Sequence, residues 1–223
     1  MNLSTVPLKS AGIAKVLLWL LRIHLTWIRL STILTLIAIA LPATPRIVTT
    51  LQHLLRVLSM VGLLLFLVLA ILLLSMVWIY RLHKDLRQCY SSYPIDAWDA
   101  LNNFILPGYN VWGIWNTLMT TARYFKAEAG RLHYYGLLIN RFVRLMYGIV
   151  IASYLLHRLV MVDRYDDLEQ VEPIIHIPDS FVPVAIAGEA LLNLGMAFVL
   201  LAIVQTIVNA MQLKARQMKT VTP

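Results

Sequence analysis

An uncharged run of 24 residues, 57–80, constrains this chain more than any other feature of its sequence. At about 1.5 Å per residue, a helix of this length crosses a hydrocarbon core of about 30 Å with some tilt. Arg56 and Arg81 bound the run. Trp78 and Tyr80 lie at its end, where amphipathic rings favour the level of the lipid headgroups. The run therefore predicts a membrane-spanning helix.

The composition of the whole chain agrees with a membrane protein. Of its 223 residues, 60% are hydrophobic and 13% are charged, whereas soluble domains carry about 25% charged residues. A chain this short cannot hide so many apolar side chains in one aqueous core. The net charge of +8 is better explained by basic residues that flank spans than by nucleic-acid binding. The lipid bilayer is the expected partner, and nucleic acid is not.

Three further apolar runs predict spans at about residues 17–41, 142–162 and 182–211. The first contains fourteen leucines and isoleucines. Each contributes roughly −0.3 to −0.6 kcal/mol at the helix centre, and together they outweigh the cost of about +2.5 to +3.5 kcal/mol for a central Arg29 and the smaller cost of Arg22. In the third span, Gly148 and Ala152 are four residues apart and allow a neighbouring helix to approach closely. The sequence thus predicts an all-α, four-helix transmembrane bundle that forms one membrane domain over residues 1–223.

The segment at about residues 97–125 is long enough for a fifth span, but its composition argues against one. Pro107 and Gly108 break it, and four asparagines within it would be costly against lipid. Two short helices hinged at Pro107 and Gly108, on the cytoplasmic side, fit better, and the segment either lies in the interface or re-enters the membrane. Three tryptophans in it have the rings that favour headgroup depth. They are Trp98, Trp112 and Trp115.

The distribution of basic residues predicts the topology. With four spans, twelve lysines and arginines lie on one side and four on the other, where an acidic loop follows at 163–180. Because basic residues concentrate in cytoplasmic loops, this bias places both termini and the 97–125 segment in the cytoplasm and the acidic loop outside. A fifth span would move the later basic residues to the opposite side and remove the bias.

Two short motifs carry a resemblance to a known family. Residues 78–83 read Trp-Ile-Tyr-Arg-Leu-His, and residues 104–112 read Phe-Ile-Leu-Pro-Gly-Tyr-Asn-Val-Trp. They resemble the Trp-Leu-Tyr-Arg and Phe-Ile-Pro…Asn-Leu-Trp elements of a bacterial family of four-span membrane proteins classed as a domain of unknown function. The likeness covers most of the chain after residue 17, although this sequence has Pro-Gly-Tyr before Asn-Val-Trp and a longer acidic loop. The resemblance implies a four-span fold and a bacterial inner-membrane location, and it implies no reaction.

Arg29, Glu189 and Asn193 are the candidate polar cluster within the membrane. Arg29 lies near the middle of the first predicted span, and Glu189 lies about two turns inside the last one. Because a lone charge at this depth is costly, intramembrane charges usually face the bundle interior and pair. Asn193 follows Glu189 by four residues and shares its helix face. The favoured interpretation is a structural ion pair between two helices. The alternatives are a polar path for protons, ions or a lipid headgroup, and snorkelling without contact.

Motifs of enzymatic or metal chemistry are missing from the sequence. It has no Gly-x-Ser-x-Gly elbow, no His-Glu-x-x-His pair and no glycine-rich phosphate loop, and its single cysteine, Cys89, forms no CxxC pair. We therefore predict no catalytic residue, no metal site and no cofactor. The expected function is a non-enzymatic accessory or scaffold subunit that associates with other membrane-protein subunits. The alternative is a small channel, transporter or lipid-handling protein with a polar bundle interior.

Overall fold

The computed structural model describes residues 8–40, 61–106, 110–165 and 181–221, and within these ranges the chain is α-helical without a strand. The helices, numbered here in chain order, are α1 (Lys9–Ala40), α2 (Val61–Cys89), α3 (Ala97–Ile105), α4 (Asn110–Ala127), α5 (Arg131–Tyr165) and α6 (Val182–Val221). This confirms the predicted all-α fold class.

Four of the described helices, α1, α2, α5 and α6, are long and apolar enough to cross a membrane. Their apolar stretches coincide with the four runs that the sequence predicts as spans. The two shorter helices of the described ranges, α3 and α4, do not meet that condition. The four-helix transmembrane bundle is therefore confirmed, and the chain is a multi-pass membrane protein.

Each spanning helix continues beyond its predicted span at the end that the sequence assigns to the cytoplasm. α1 begins at Lys9 rather than near residue 17, and α2 continues past Tyr80 to Cys89. α5 begins at Arg131, and α6 continues to Val221. Hydropathy marks only the part of a helix that lipid solvates. These extensions carry charged residues, so hydropathy misses them.

The chain forms two compact units, and the first contains most of the packed core. It comprises the described parts of Met1–Arg22, Phe66–Arg144 and Val199–Pro223. Five helices each contribute a large side chain that is fully buried there. These side chains are Leu17, Leu86, Phe125, Ile139 and Ile207. The ends of the spanning helices and the α4 helix thus share one core within this unit.

The second unit is much more exposed. It comprises the described parts of Ile23–Leu65 and Leu145–Phe198. The hydroxyl of Thr32 on α1 donates a hydrogen bond of 3.3 Å to the carbonyl oxygen of Ala190 on α6. In contrast, Ile151 is 58% exposed and Val184 is 64% exposed. Lipid tails are as apolar as leucine, so a bilayer solvates such faces.

The α3 and α4 helices pack against each other as a hairpin. The side-chain amide of Asn103 donates a hydrogen bond of 3.1 Å to the hydroxyl of Thr117. Gly113 lies so close to α3 that a β-carbon there would be 2.7 Å from Cβ of Asn103. The two helices lie on either side of Pro107 and Gly108, as the sequence predicts. Pro107 and Gly108 themselves lie outside the described residues, as do residues 166–180 of the acidic loop.

A glycine also permits a close helix approach in α5, and this glycine is Gly136. A β-carbon at Gly136 would be 2.6 Å from the backbone nitrogen of Lys126 and 2.7 Å from the carbonyl oxygen of Ala122, both on α4. At Gly148 it would meet no described atom within 4 Å. No helix of the described ranges thus approaches Gly148, where the sequence allows such an approach. Spacing of small residues marks a possible contact, whereas the fold decides which face another helix covers.

Candidate functional site

The predicted polar cluster lies on the apolar helices of the second unit. Arg29 is on α1, Glu189 and Asn193 are on α6, and all three residues are exposed. Among the described residues, no hydrogen bond or ion pair joins any two of the three. Glu189 is the neighbour of Ala190, whose carbonyl oxygen accepts the hydrogen bond from α1. The structure thus shows no polar bond among the three described side chains, and their role stays a prediction.

The exposure of these side chains is costly if lipid covers them. Glu189 lies seven residues after Val182, which is about 10 Å along the helix axis. A charged group at the centre of a spanning helix costs about 2.5–3.5 kcal/mol on insertion scales, and intramembrane charges usually pair or face water. Arg29 has a long side chain that can snorkel, whereas the shorter Glu189 side chain reaches less far.

The predicted interfacial segment exposes aromatic and apolar side chains. Trp98 is 60% exposed and Trp112 is 66% exposed, whereas Trp115 is half-buried. The end of the hairpin beside Trp112 adds exposed apolar side chains. They are Ile105, Leu106 and Val111. Apolar groups next to exposed tryptophans fit the boundary between headgroups and acyl chains better than they fit water. The depth of the hairpin in the membrane stays a prediction.

A buried network of hydrogen-bonded side chains links α2 to α4 in the first unit. It was not predicted from the sequence. The hydroxyl of Tyr93 lies 3.1 Å from Nδ1 of His83 and 3.1 Å from Oγ1 of Thr121. The Thr121 hydroxyl donates a hydrogen bond of 3.0 Å to the carbonyl oxygen of Thr117. The side chains of His83, Tyr93 and Thr121 are at most 3% exposed. Their spacing in sequence has no periodicity that would have indicated this cluster.

In this hydrogen-bonded network, the donor of one hydrogen bond determines the donor of the next. The proton of Thr121 is used for the carbonyl of Thr117, so the Tyr93 hydroxyl donates to Thr121. His83 then donates through Nδ1–H to the Tyr93 oxygen. Burial raises the pKa of Tyr93, which keeps the hydroxyl protonated and able to donate. These side chains satisfy one another's hydrogen-bonding groups, and the network is a structural link between helices.

The carboxylate of Asp85, on α2, caps the N-terminus of α1. It accepts a hydrogen bond of 2.9 Å from the backbone N–H of Ser10 and one of 3.3 Å from that of Lys9. The first N–H groups of a helix have no partner within the helix, and the helix N-terminus favours negative charge. Leu8, which precedes the helix, has no side-chain acceptor. Asp85 is 1% exposed and supplies the missing acceptor.

An ion pair ties the end of α6 into the same unit. The Lys214 ammonium pairs with Glu128, between α4 and α5, and lies 4.8 Å from the ring centre of Tyr90. Burial and the nearby Glu128 carboxylate raise the pKa of Tyr90. Together with the Asp85 cap, this pair brings the start of α1, the end of α2 and the end of α6 into one unit. Helix ends that are separated by an even number of membrane crossings lie on the same side of the membrane, and these three ends are separated in this way.

No protein-family model, no curated protein and no solved structure matches the chain. The fold and these contacts define it as a four-span integral membrane protein with a tightly packed unit that holds the α3–α4 hairpin. The resemblance to a bacterial four-span family stays a prediction. Among the described residues, no group of three histidine, cysteine or acidic side chains is placed to hold a metal ion.

Proposed function

We propose that this protein is a non-enzymatic accessory or scaffold subunit of a membrane-protein assembly. In this proposal it lies in a bacterial inner membrane, with both termini and the α3–α4 hairpin on the cytoplasmic side. The orientation rests on the excess of basic residues on one side of the predicted spans. The bacterial inner membrane rests on the resemblance carried by residues 78–83 and 104–112.

The observation that carries the proposal is the exposure of Glu189 and Asn193 on one face of α6. Both lie on a helix apolar enough to span the membrane, and neither has a hydrogen-bond or ion-pair partner among the described residues. Arg29, on α1, is exposed in the same way. A neighbouring transmembrane helix with complementary polar groups would remove the cost of placing these side chains against lipid. Such a helix is the partner that the proposal requires.

The distribution of buried side chains supports the same function. The first unit buries the network of His83, Tyr93 and Thr121, and these side chains form hydrogen bonds with one another. A channel or transporter with a polar interior needs polar groups that face a path through the bundle. The exposed positions of Glu189 and Asn193 fit contact with another subunit better than they fit such a path.

Site-specific photocrosslinking tests this proposal. A photoreactive amino acid replaces Asn193 in one variant and Leu191 in the other. Leu191 is 52% exposed on the same helix, but it lies about 160° around the helix from Asn193 at about 100° per residue. We expect the Asn193 position to trap a different membrane protein and the Leu191 position to trap lipid. Equal products at both positions, or a crosslink only to a second copy of this chain, would contradict the proposal.

Co-purification in mild detergent gives a second test. The wild-type protein and the Asp99→Leu variant are expected to retain the crosslinked subunit, whereas Glu189→Leu is expected to lose it. Asp99 is the matched control because it is an exposed carboxylate on α3, outside the spanning helices. A wild-type protein that purifies as a monodisperse monomer would count against an accessory function.

A further inference from the structure

An open cavity of about 460 Å³ is lined by the first residue of α1 and by the C-terminal part of α2. The lining residues are Lys9, Tyr80, Arg81 and Lys84. Binding sites for small ligands usually measure roughly 300–1,000 Å³. The cavity therefore has room for a group of the size of a phospholipid headgroup.

We propose that this cavity binds the phosphate group of an anionic phospholipid, with Lys9, Arg81 and Lys84 as the ligands of the phosphate. The inference goes beyond the accessory function proposed above and does not depend on it. The guanidinium of Arg81 suits two parallel hydrogen bonds to phosphate oxygens, and the two lysines act as point charges.

Within the described ranges, no acidic side chain pairs with the cations around the cavity. Lys9, Arg81 and Lys84 are exposed, and none of the three forms an ion pair with another described residue. The carboxylate of Asp85 is buried, and it already accepts hydrogen bonds from the backbone N–H groups of Lys9 and Ser10. Arg81 and Lys84 are three residues apart on one helix face, where like charges repel. A bound phosphate would remove this repulsion.

The aromatic residues beside the cavity place it at the depth of the lipid headgroups. The ring of Tyr80 packs edge-on against that of Trp98, with 5.4 Å between the ring centres, and Trp98 is 60% exposed. The Lys84 ammonium lies 4.5 Å from the centre of the Tyr80 ring. Tyrosine and tryptophan favour the headgroup level, and the uncharged run of α2 ends at Tyr80. A lipid phosphate lies at this depth, which favours a lipid over a phosphate dissolved in water.

Native mass spectrometry of the full-length protein in detergent tests the site, with phosphatidylglycerol, phosphatidylcholine and inorganic phosphate as separate probes. We expect the wild-type protein to retain one phosphatidylglycerol molecule and to release phosphatidylcholine. Inorganic phosphate at millimolar concentration is expected neither to bind detectably nor to displace the lipid. Displacement by inorganic phosphate, or equal retention of the two lipids, would overturn the proposal.

Charge-neutral variants locate the bound lipid. Arg81→Gln combined with Lys84→Gln is expected to weaken phosphatidylglycerol retention by roughly 30-fold, since each basic residue near a membrane surface contributes about fivefold. The matched control combines Arg123→Gln with Arg131→Gln, which removes two exposed cations outside the cavity. The control is expected to retain the lipid. Equal loss in both double variants would show general surface attraction and would overturn the assigned site.

A single variant keeps the test valid if the double variant fails to fold. Lys9→Gln removes one cation from the cavity but keeps the backbone N–H groups that donate hydrogen bonds to Asp85. We expect about fivefold weaker retention of phosphatidylglycerol with unchanged thermal unfolding. Unchanged retention in Lys9→Gln would contradict its role as a phosphate ligand.

Discussion

The carboxylate of Asp85 accepts a hydrogen bond of 2.9 Å from the backbone N–H of Ser10, a residue 75 positions earlier in the chain. The bond joins the start of the first spanning helix to the end of the second. Both groups are buried, so water does not offer a replacement acceptor. The position of α1 in the first unit therefore depends on a side chain of α2.

Replacement of Asp85 by alanine is expected to destabilise the protein by about 1–3 kcal/mol, because two backbone N–H groups lose their acceptor. Asp85→Asn keeps an acceptor without the charge and is expected to lose about half as much. Thermal unfolding in detergent measures both effects. Asp99→Ala, at an exposed position on α3, serves as the control and should unfold like the wild type. If Asp85→Ala matched that control, the cap would have no energetic importance.

Substitution of Gly136 by alanine is expected to destabilise the contact between α4 and α5 by about 1–3 kcal/mol. The added β-carbon would lie 2.6 Å from the backbone nitrogen of Lys126, and a backbone atom cannot move aside as a flexible side chain can. Gly148→Ala, on the same helix, is the matched control because it meets no described atom within 4 Å. That variant should be neutral or more stable by up to about 1 kcal/mol, since alanine favours helices. Thermal unfolding that ranks the two variants in the opposite order would contradict the packing.

Tyr93→Phe is expected to lower the free energy of unfolding by about 1–3 kcal/mol near neutral pH, because His83 and Thr121 lose their buried partner. The difference should depend on pH. Burial raises the pKa of Tyr93, so the folded state keeps the proton that the unfolded state loses above about pH 10. The stabilisation by Tyr93 is thus complete below pH 10 and falls as the pH rises towards the pKa of the folded state.

Unfolding of the wild type and of Tyr93→Phe at pH 8 and pH 11 checks this dependence. The advantage of the wild type should shrink by about 1.4 kcal/mol for each pH unit above 10. An advantage that stays constant or grows at pH 11 would show that the buried hydroxyl does not have a raised pKa.

The ion pair between Lys214 and Glu128 is expected to couple the end of α6 to the turn between α4 and α5. Its side chains are 16% and 27% exposed, so solvent screens the pair less than a surface pair. A double-mutant cycle with Lys214→Met and Glu128→Gln should give a coupling of about 0.5–1.5 kcal/mol. The same cycle with Arg216→Met in place of Lys214→Met should give a coupling near zero. Equal couplings in the two cycles would remove the specific role of Lys214.

The parts of the fold that depend on local sequence could be predicted. The four spans follow from apolar runs, and the break between α3 and α4 follows from Pro107 and Gly108. Asp96 is a further local signal, since it directly precedes α3 and accepts a hydrogen bond from the backbone N–H of Trp98. The backbone N–H groups of Ala97 and Trp98 lower the pKa of Asp96, as expected for an ionised helix cap.

The parts that depend on contacts between distant residues could not be predicted. The Asp85 cap joins residues 75 positions apart, and no local pattern indicates which helix end that carboxylate reaches. The close approach at Gly136 rather than Gly148 depends on which face of α5 another helix covers. For Glu189, the sequence indicates depth in the membrane, but only the packed helices determine that the side chain is exposed.

The sidedness of single cysteines tests the central claim most directly. In a Cys89→Ser background, a single cysteine is placed at one of three positions. It replaces Ser91, which follows α2, or Arg216, which is near the end of α6, or Asp167, which is in the acidic loop. A membrane-impermeant maleimide is added to spheroplasts before or after permeabilisation. We predict that the cysteine at position 167 reacts in intact spheroplasts, whereas those at 91 and 216 react only after permeabilisation. Reaction of positions 91 and 216 from opposite sides of the membrane would contradict the four-span architecture.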